Sequence, residues 1–172
     1  MSAETFTTAI FLVTAVIAAG VLVNALFPVV YTMVGTFSSA SHESDVQLRT
    51  DFKIITTTAN HGTLPDPGIA HIWLKNIGSS RISVGDIERS DVFCGAVDNF
   101  DRMGLVEDAT EHGQWSYEFG EGYDLNGNDN WDPGETVKIT AVSNTITETG
   151  HIVYFQFALP NGIWRSTEFT AR

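Results

Sequence analysis

No charged side chain lies between Glu4 and Glu43. Inside that gap, Ala9–Phe37 reads AIFLVTAVIAAGVLVNALFPVVYTMVGTF. A bilayer core needs about 20 apolar helical residues, and residues 6–27 satisfy that before Pro28 interrupts them. Ala, Leu, Val and Ile dominate the run, and Gly20 is the only glycine ahead of Pro28. A core helix of a soluble protein seldom runs so far without a charge. The stretch is therefore predicted to be a transmembrane helix, in an N-terminal unit covering residues 1–45. A secretory signal peptide would need a basic start and a small-x-small cleavage site. No Lys or Arg precedes Arg49, so the segment is expected to be retained. The positive-inside rule has no basic flank to count. The short N-terminus is placed inside and the rest of the chain outside the cytoplasm.

Asn24 and Pro28 are four residues apart, on one helical face. An amide in lipid is costly and seeks a partner helix, and a proline removes a backbone donor and bends the helix. Both residues are candidates for helix packing. A position near the membrane interface, where water would satisfy them, fits the same pattern.

No proline or glycine stops a helix across Ser38–Glu43, so the helix is free to continue there. From Val46 the pattern changes. Val46, Leu48, Phe52 and Ile54 alternate with Gln47, Arg49, Asp51 and Lys53, the period-two mark of a strand with one wet face. Further strands are expected at 69–77, 81–87, 91–96, 115–119, 135–143, 151–158 and 162–170. Turn signals separate them, among them Pro65-Asp66-Pro67-Gly68, Gly78-Ser79-Ser80, Asp132-Pro133-Gly134 and Pro160-Asn161-Gly162. Seven or eight short strands at this spacing predict an all-β sandwich, immunoglobulin-like, over residues 46–172. Trp73, Phe155 and Phe157 are expected in its core.

Charge narrows the function. The chain carries 21 acids against 9 bases, which argues against nucleic acid or an anionic lipid surface as the main partner. Divalent cations, a basic protein partner or a salty medium would suit it. Between Asp98 and Glu135 stand eleven acids and one base, Arg102. A solvated acidic face accounts for such a block, and so does cation binding. Cys94 is the only cysteine, so no intrachain disulfide can form. His42, His61, His71, His112 and His151 show no metal-ligand spacing. With no nucleophile motif, phosphate loop or C-x-x-C, nothing recommends catalysis.

One acidic stretch has ligand spacing. Asp124–Glu135, read as a twelve-residue calcium loop, puts Asp124, Asn126, Asn128, Asp132 and Glu135 at positions 1, 3, 5, 9 and 12, with the carbonyl of Asn130 at position 7. Calcium takes six to eight oxygen ligands, which short oxygen-bearing side chains on a turning loop supply. Asp129 replaces the glycine expected at position 6, and flanking helices are missing. An acidic Asn/Gly-rich hairpin loop, with Pro133-Gly134-Glu135 opening a strand, fits the same residues.

The stretch Val21–Ile55, VLVNALFPVVYTMVGTFSSASHESDVQLRTDFKII, resembles the membrane-to-domain passage of the archaeal flagellar (archaellum) protein G family. Leu74-Lys75-Asn76-Ile77-Gly78, Asp91-Val92-Phe93, Pro133-Gly134-Glu135 and Pro160-Asn161-Gly162 resemble strand and turn pieces of the same family. The resemblance implies a membrane helix followed by a flagellin-like sandwich. It implies a non-enzymatic part in swimming motility, as an anchor or stator between membrane and surface layer. The implied partners are a flagellar protein F-like chain, a surface-layer protein and further copies of itself. The stretch around Asp124 lies outside the resemblance, which therefore says nothing of calcium. A flagellin or type IV pilin-like filament subunit shares the helix-plus-sandwich plan but begins with a short basic leader, which is not seen here. A membrane-anchored calcium-dependent adhesion or carbohydrate-binding module is a further alternative. So is a membrane-anchored hydrolase, which would need paired carboxylates in a cleft.

Overall fold

Helix α1 spans Ala3–Arg49. At 1.5 Å per residue its 47 residues extend for roughly 70 Å, about twice the thickness of a bilayer core. The structure, a computed structural model, describes residues 3–63, 66–119, 127–128 and 130–172. By length and composition α1 can cross a membrane. Its polar groups turn inward on its own backbone: the hydroxyls of Thr14, Thr32 and Thr36 donate to the carbonyls of Ile10, Pro28 and Thr32 at 2.7, 2.9 and 3.0 Å. This local bonding lets threonine sit in an apolar helix. Pro28 lies inside the helix and has no N–H to offer the carbonyl of Asn24.

The chain divides into two compact units at Asp45/Val46. The last turn of α1, from Val46 to Arg49, belongs to the second unit, where a strand was expected. Helix persists because Thr50 closes the turn twice on the carbonyl of Val46, with its N–H at 3.0 Å and its hydroxyl at 2.7 Å. Gln47, Leu48 and Arg49 are good helix formers, and a four-residue alternation is too short to override them.

Among the described residues eight strands follow: β1 Phe52–Asn60, β2 Gly68–Asn76, β3 Asp91–Ala96, β4 Asn99–Leu105, β5 Gln114–Glu118, β6 Thr136–Ser143, β7 Ile152–Ala158 and β8 Trp164–Thr170. Their order is β1-β2-β6-β5-β4-β3-β7-β8. The ladders are antiparallel except the short parallel pair of β4 and β5, Gly104 opposite Gln114 and Leu105 opposite Trp115. At the far ends β1 and β8 meet: Arg172 donates its N–H to Ala59 at 2.8 Å and accepts that of His61 at 3.2 Å. The result is a sandwich whose sheet is nearly closed.

Two expectations are corrected here. Residues 81–87 do not form a strand; Val84–Glu88 is a short helix, α2. Ser83 caps it, accepting the N–H of Asp86 at 3.2 Å while its hydroxyl donates to the Asp86 carboxylate at 2.7 Å, a pairing that favours a helix start over a strand. Strand β4 was not foreseen. Of its seven residues only Met103 is buried, so the alternation that marks a strand is missing from NFDRMGL.

The core follows the period-two rule in the strands that face it. Ile72 and Leu74 of β2, Val137 and Ile139 of β6, and Phe155 and Phe157 of β7 are fully buried. Phe157 meets Phe52 edge-on at 5.5 Å, Trp115 at 6.2 Å and Trp131 at 6.5 Å between ring centroids. Such edge contacts add to simple burial of the rings. Trp73 was expected here but is half-buried on the opposite face, because the register that buries Ile72 and Leu74 turns it outward. Gly95 of β3 is paired with both Phe100 and Tyr154, whose rings approach to 4.6 Å. Its φ of 153° and the crowding of Asn99 and Thr145 around any added Cβ admit only glycine.

Candidate functional site

The acidic stretch is partly described. Asn128, Asn130, Asp132 and Glu135 are brought together; Asp124 and Asn126, like Asp129, lie outside the described residues. The four form a turn with internal partners. Asp132 takes the guanidinium of Arg81 on Oδ1 at 2.7 Å and the amide of Asn128 on Oδ2 at 2.8 Å. Asn128 Oδ1 accepts the N–H of Asn130 at 2.9 Å. Glu135 is only 2 % exposed, and its Oε2 accepts the backbone N–H of Asp132 at 2.9 Å. A carboxylate so far from water must have such donors. Among the described residues no group of three His, Cys, Asp or Glu side chains is placed to hold a metal ion.

Beneath the turn sits Asn76, fully buried at the end of β2. Its amide donates to the carbonyls of Trp131 at 2.8 Å and Ser80 at 3.0 Å, and its Oδ1 accepts the N–H of Gly78 at 3.0 Å. Its backbone N–H reaches Glu135 and its carbonyl takes that of Gly134, both at 2.9 Å. Trp131 in turn donates its indole N–H to the carbonyl of Glu135 at 3.0 Å. A Cβ at Gly78 would run into the backbone of Arg49 and Asp51. The Lys-Asn-Ile-Gly and Pro-Gly-Glu pieces of the sequence are thus two halves of one junction. It ties the residues following α1 to the base of the acidic loop. Its polar centre, Asn76, was missed by the sequence reading. The signal available was an asparagine closing an otherwise apolar strand just before a glycine.

The remaining candidates are dispersed. Asn24 and Pro28 lie in the N-terminal unit on α1. Cys94 is buried, and burial pushes its thiol up to about 12. His71 is half-buried with Nδ1 3.2 Å from the hydroxyl of Thr140; burial first, then nearby Lys138, lower its pKa below the ordinary value.

The model of the archaeal-type flagellin family matches residues 2–169. The chain belongs to that family. The family's helix-plus-sandwich is thus what α1 and β1–β8 build. A protein of Archaeoglobus fulgidus described as uncharacterized is 23% identical over 172 residues, 99% of each chain. The archaellum periplasmic stator protein FlaG from Sulfolobus acidocaldarius is similar in fold, with a TM-score of 0.51 and 22% identity over 70% of this chain and 99% of that one. The likeness holds for the FlaF and FlaG complex of the same organism, at a TM-score of 0.51 and 20% identity, covering 69% and 87%. The archaeal flagellum of Methanospirillum hungatei strain JF1 matches 96% of this chain and 92% of its own, with a TM-score of 0.67 and 12% identity. This flagellin-family chain therefore shares its fold with both stator and filament proteins.

Proposed function

We propose that the chain is a non-enzymatic structural component of the archaellum. In this reading α1 anchors it in the membrane and the sandwich lies outside the cytoplasm. There it acts as an anchor or stator between membrane and surface layer, beside a FlaF-like partner and further copies of itself. The observation that carries the reading is the joining of a 47-residue helix, free of charge from Thr5 to His42, to a flagellin-type sandwich in one chain. The stator role draws support from the higher identity to FlaG, 22% against 12% for the filament chain. A FlaF-like partner draws support from the solved FlaF and FlaG complex.

A second reading, filament subunit, is favoured by the TM-score of 0.67 that extends over 96% of this chain. Fractionation separates the two. Filaments sheared from swimming cells should lack the chain, and the washed membrane fraction should hold it. Recovery in the sheared filaments at flagellin-like abundance would establish the subunit reading in its place.

A further inference from the structure

The ends of β4, β5 and α2 enclose an open groove of about 660 Å³. Its floor is apolar: Leu105, Val106, Tyr117 and Phe119. Leu105 is 38% exposed there, and Val106, Tyr117 and Phe119 are half-buried. The rim is acidic. Glu88, Glu107 and Glu118 stand around the floor, with the hydroxyl of Tyr117 donating to Glu88 Oε1 at 3.2 Å. Among the described residues no base lines the groove; Lys138 pairs with Glu118 at 2.7 Å, which leaves the rim with an excess of negative charge.

An apolar floor offers no ligands to a divalent cation, and the rim repels phosphate, whether of nucleic acid or lipid. Rings and aliphatic side chains left partly open to water gain by being covered. Of the eleven acids between Asp98 and Glu135, Glu107 and Glu118 line the groove itself, and Glu88 of α2 joins them. Complementary charge steers a partner and fixes its register, while the apolar contact holds it. We infer that the groove docks a peptide segment of another protein in which an apolar anchor is flanked by Lys or Arg. The inference concerns this surface alone and stands whether the chain is a stator or a filament subunit.

The test uses the full chain in zwitterionic nanodiscs and a fluorescent ten-residue peptide alternating lysine with leucine and phenylalanine. Binding is read by anisotropy against empty nanodiscs. The lysine peptide should bind; versions with glutamate for lysine, or serine for the apolar residues, should not at the same concentration. Glu107→Lys and Leu105→Ser should each weaken binding about tenfold or more. Asp101→Lys makes the same charge change outside the groove and should alter it less than about twofold. Equal weakening by Asp101→Lys would mean attraction by net charge only and overturn the proposal. So would an unchanged Leu105→Ser variant. Absence of peptide binding, or burial of the groove by a second copy of the chain, would overturn it too.

Discussion

The side-chain amide of Asn76 donates to the carbonyl of Trp131 at 2.8 Å, across 55 residues of sequence and with no access to water. Replacing Asn76 by Ala leaves the Trp131 and Ser80 carbonyls and the Gly78 N–H without that partner. The Trp131 carbonyl keeps the N–H of Ile82 and the Gly78 N–H keeps the carbonyl of Asp51, so the loss is that of three hydrogen bonds at about 0.5–1.5 kcal/mol each, roughly 1.5–4.5 kcal/mol in all. Asn76→Asp keeps an acceptor for Gly78 but sets a carboxylate against two carbonyl oxygens. At neutral pH it should be no better than alanine. Chemical denaturation of the full chain in detergent, following the fluorescence of the buried tryptophans, measures both.

Glu135 lends itself to a test of calcium. The geometry gives its carboxylate a task without any ion, the capping of the Asp132 N–H. Glu135→Ala should therefore cost about 1–3 kcal/mol in chelator alone. The calcium loop proposed from Asp124, Asn126, Asn128, Asn130, Asp132 and Glu135 adds a second expectation. Millimolar calcium should raise the unfolding midpoint of the wild-type chain, the stability gain being about 2.7 kcal/mol at 100 times the dissociation constant. It should not rescue Glu135→Ala, and magnesium should substitute poorly. Equal wild-type midpoints in calcium, magnesium and chelator would leave Glu135 with its turn role alone.

The half-buried His71 makes a pH-dependent contribution. Its folded pKa is lowered from the ordinary 6.5, mainly by burial and then by Lys138. Below 6.5 the unfolded chain takes up the proton more readily than the folded one, so falling pH favours unfolding. Stability is fully present above about 6.5 and is lost as pH falls through the lower, folded value. His71→Gln should flatten this part of the stability profile between pH 7 and 5. An unchanged slope in the variant would mean that other groups govern that window.

Cys94 is inert by the same logic. Fully buried, with its thiol pushed up to about 12, it presents almost no thiolate near neutral pH. Iodoacetamide should leave the native chain unmodified at pH 8 and alkylate it fully in denaturant, as read by intact mass. Rapid native labelling would mean that the β3–β7 core opens readily.

The membrane-length helix and most strands were legible because their signals are local. An uninterrupted apolar run marks α1, and alternation marks β2, β6 and β7. What stayed hidden depends on partners distant in sequence. Nothing in NFDRMGL announces β4, because that strand exists by pairing with β3 and β5 rather than by burying a face. Val46–Arg49 reads as a strand until Thr50 is seen closing a helical turn on Val46. Trp73 was expected in the core and register turns it outward, while Trp131, for which no role was read, is held in the core by Asn76 and Ile82. The spacing from Asp124 to Glu135 suggested ligands converging on an ion. It could not reveal that Arg81 reaches Asp132, or that Glu135 bonds back to the chain. The motif pieces carrying the family resemblance were visible; that two of them meet around Asn76 was not.

The central claim is that this chain serves the archaellum as a stationary structural part. Deleting its gene in a motile strain, and imaging the cells for filaments alongside swimming speed, tests it most directly. Cells that still make flagellin but no longer swim, restored by the wild-type gene, are the predicted result. Normal swimming in the deletion strain would contradict it.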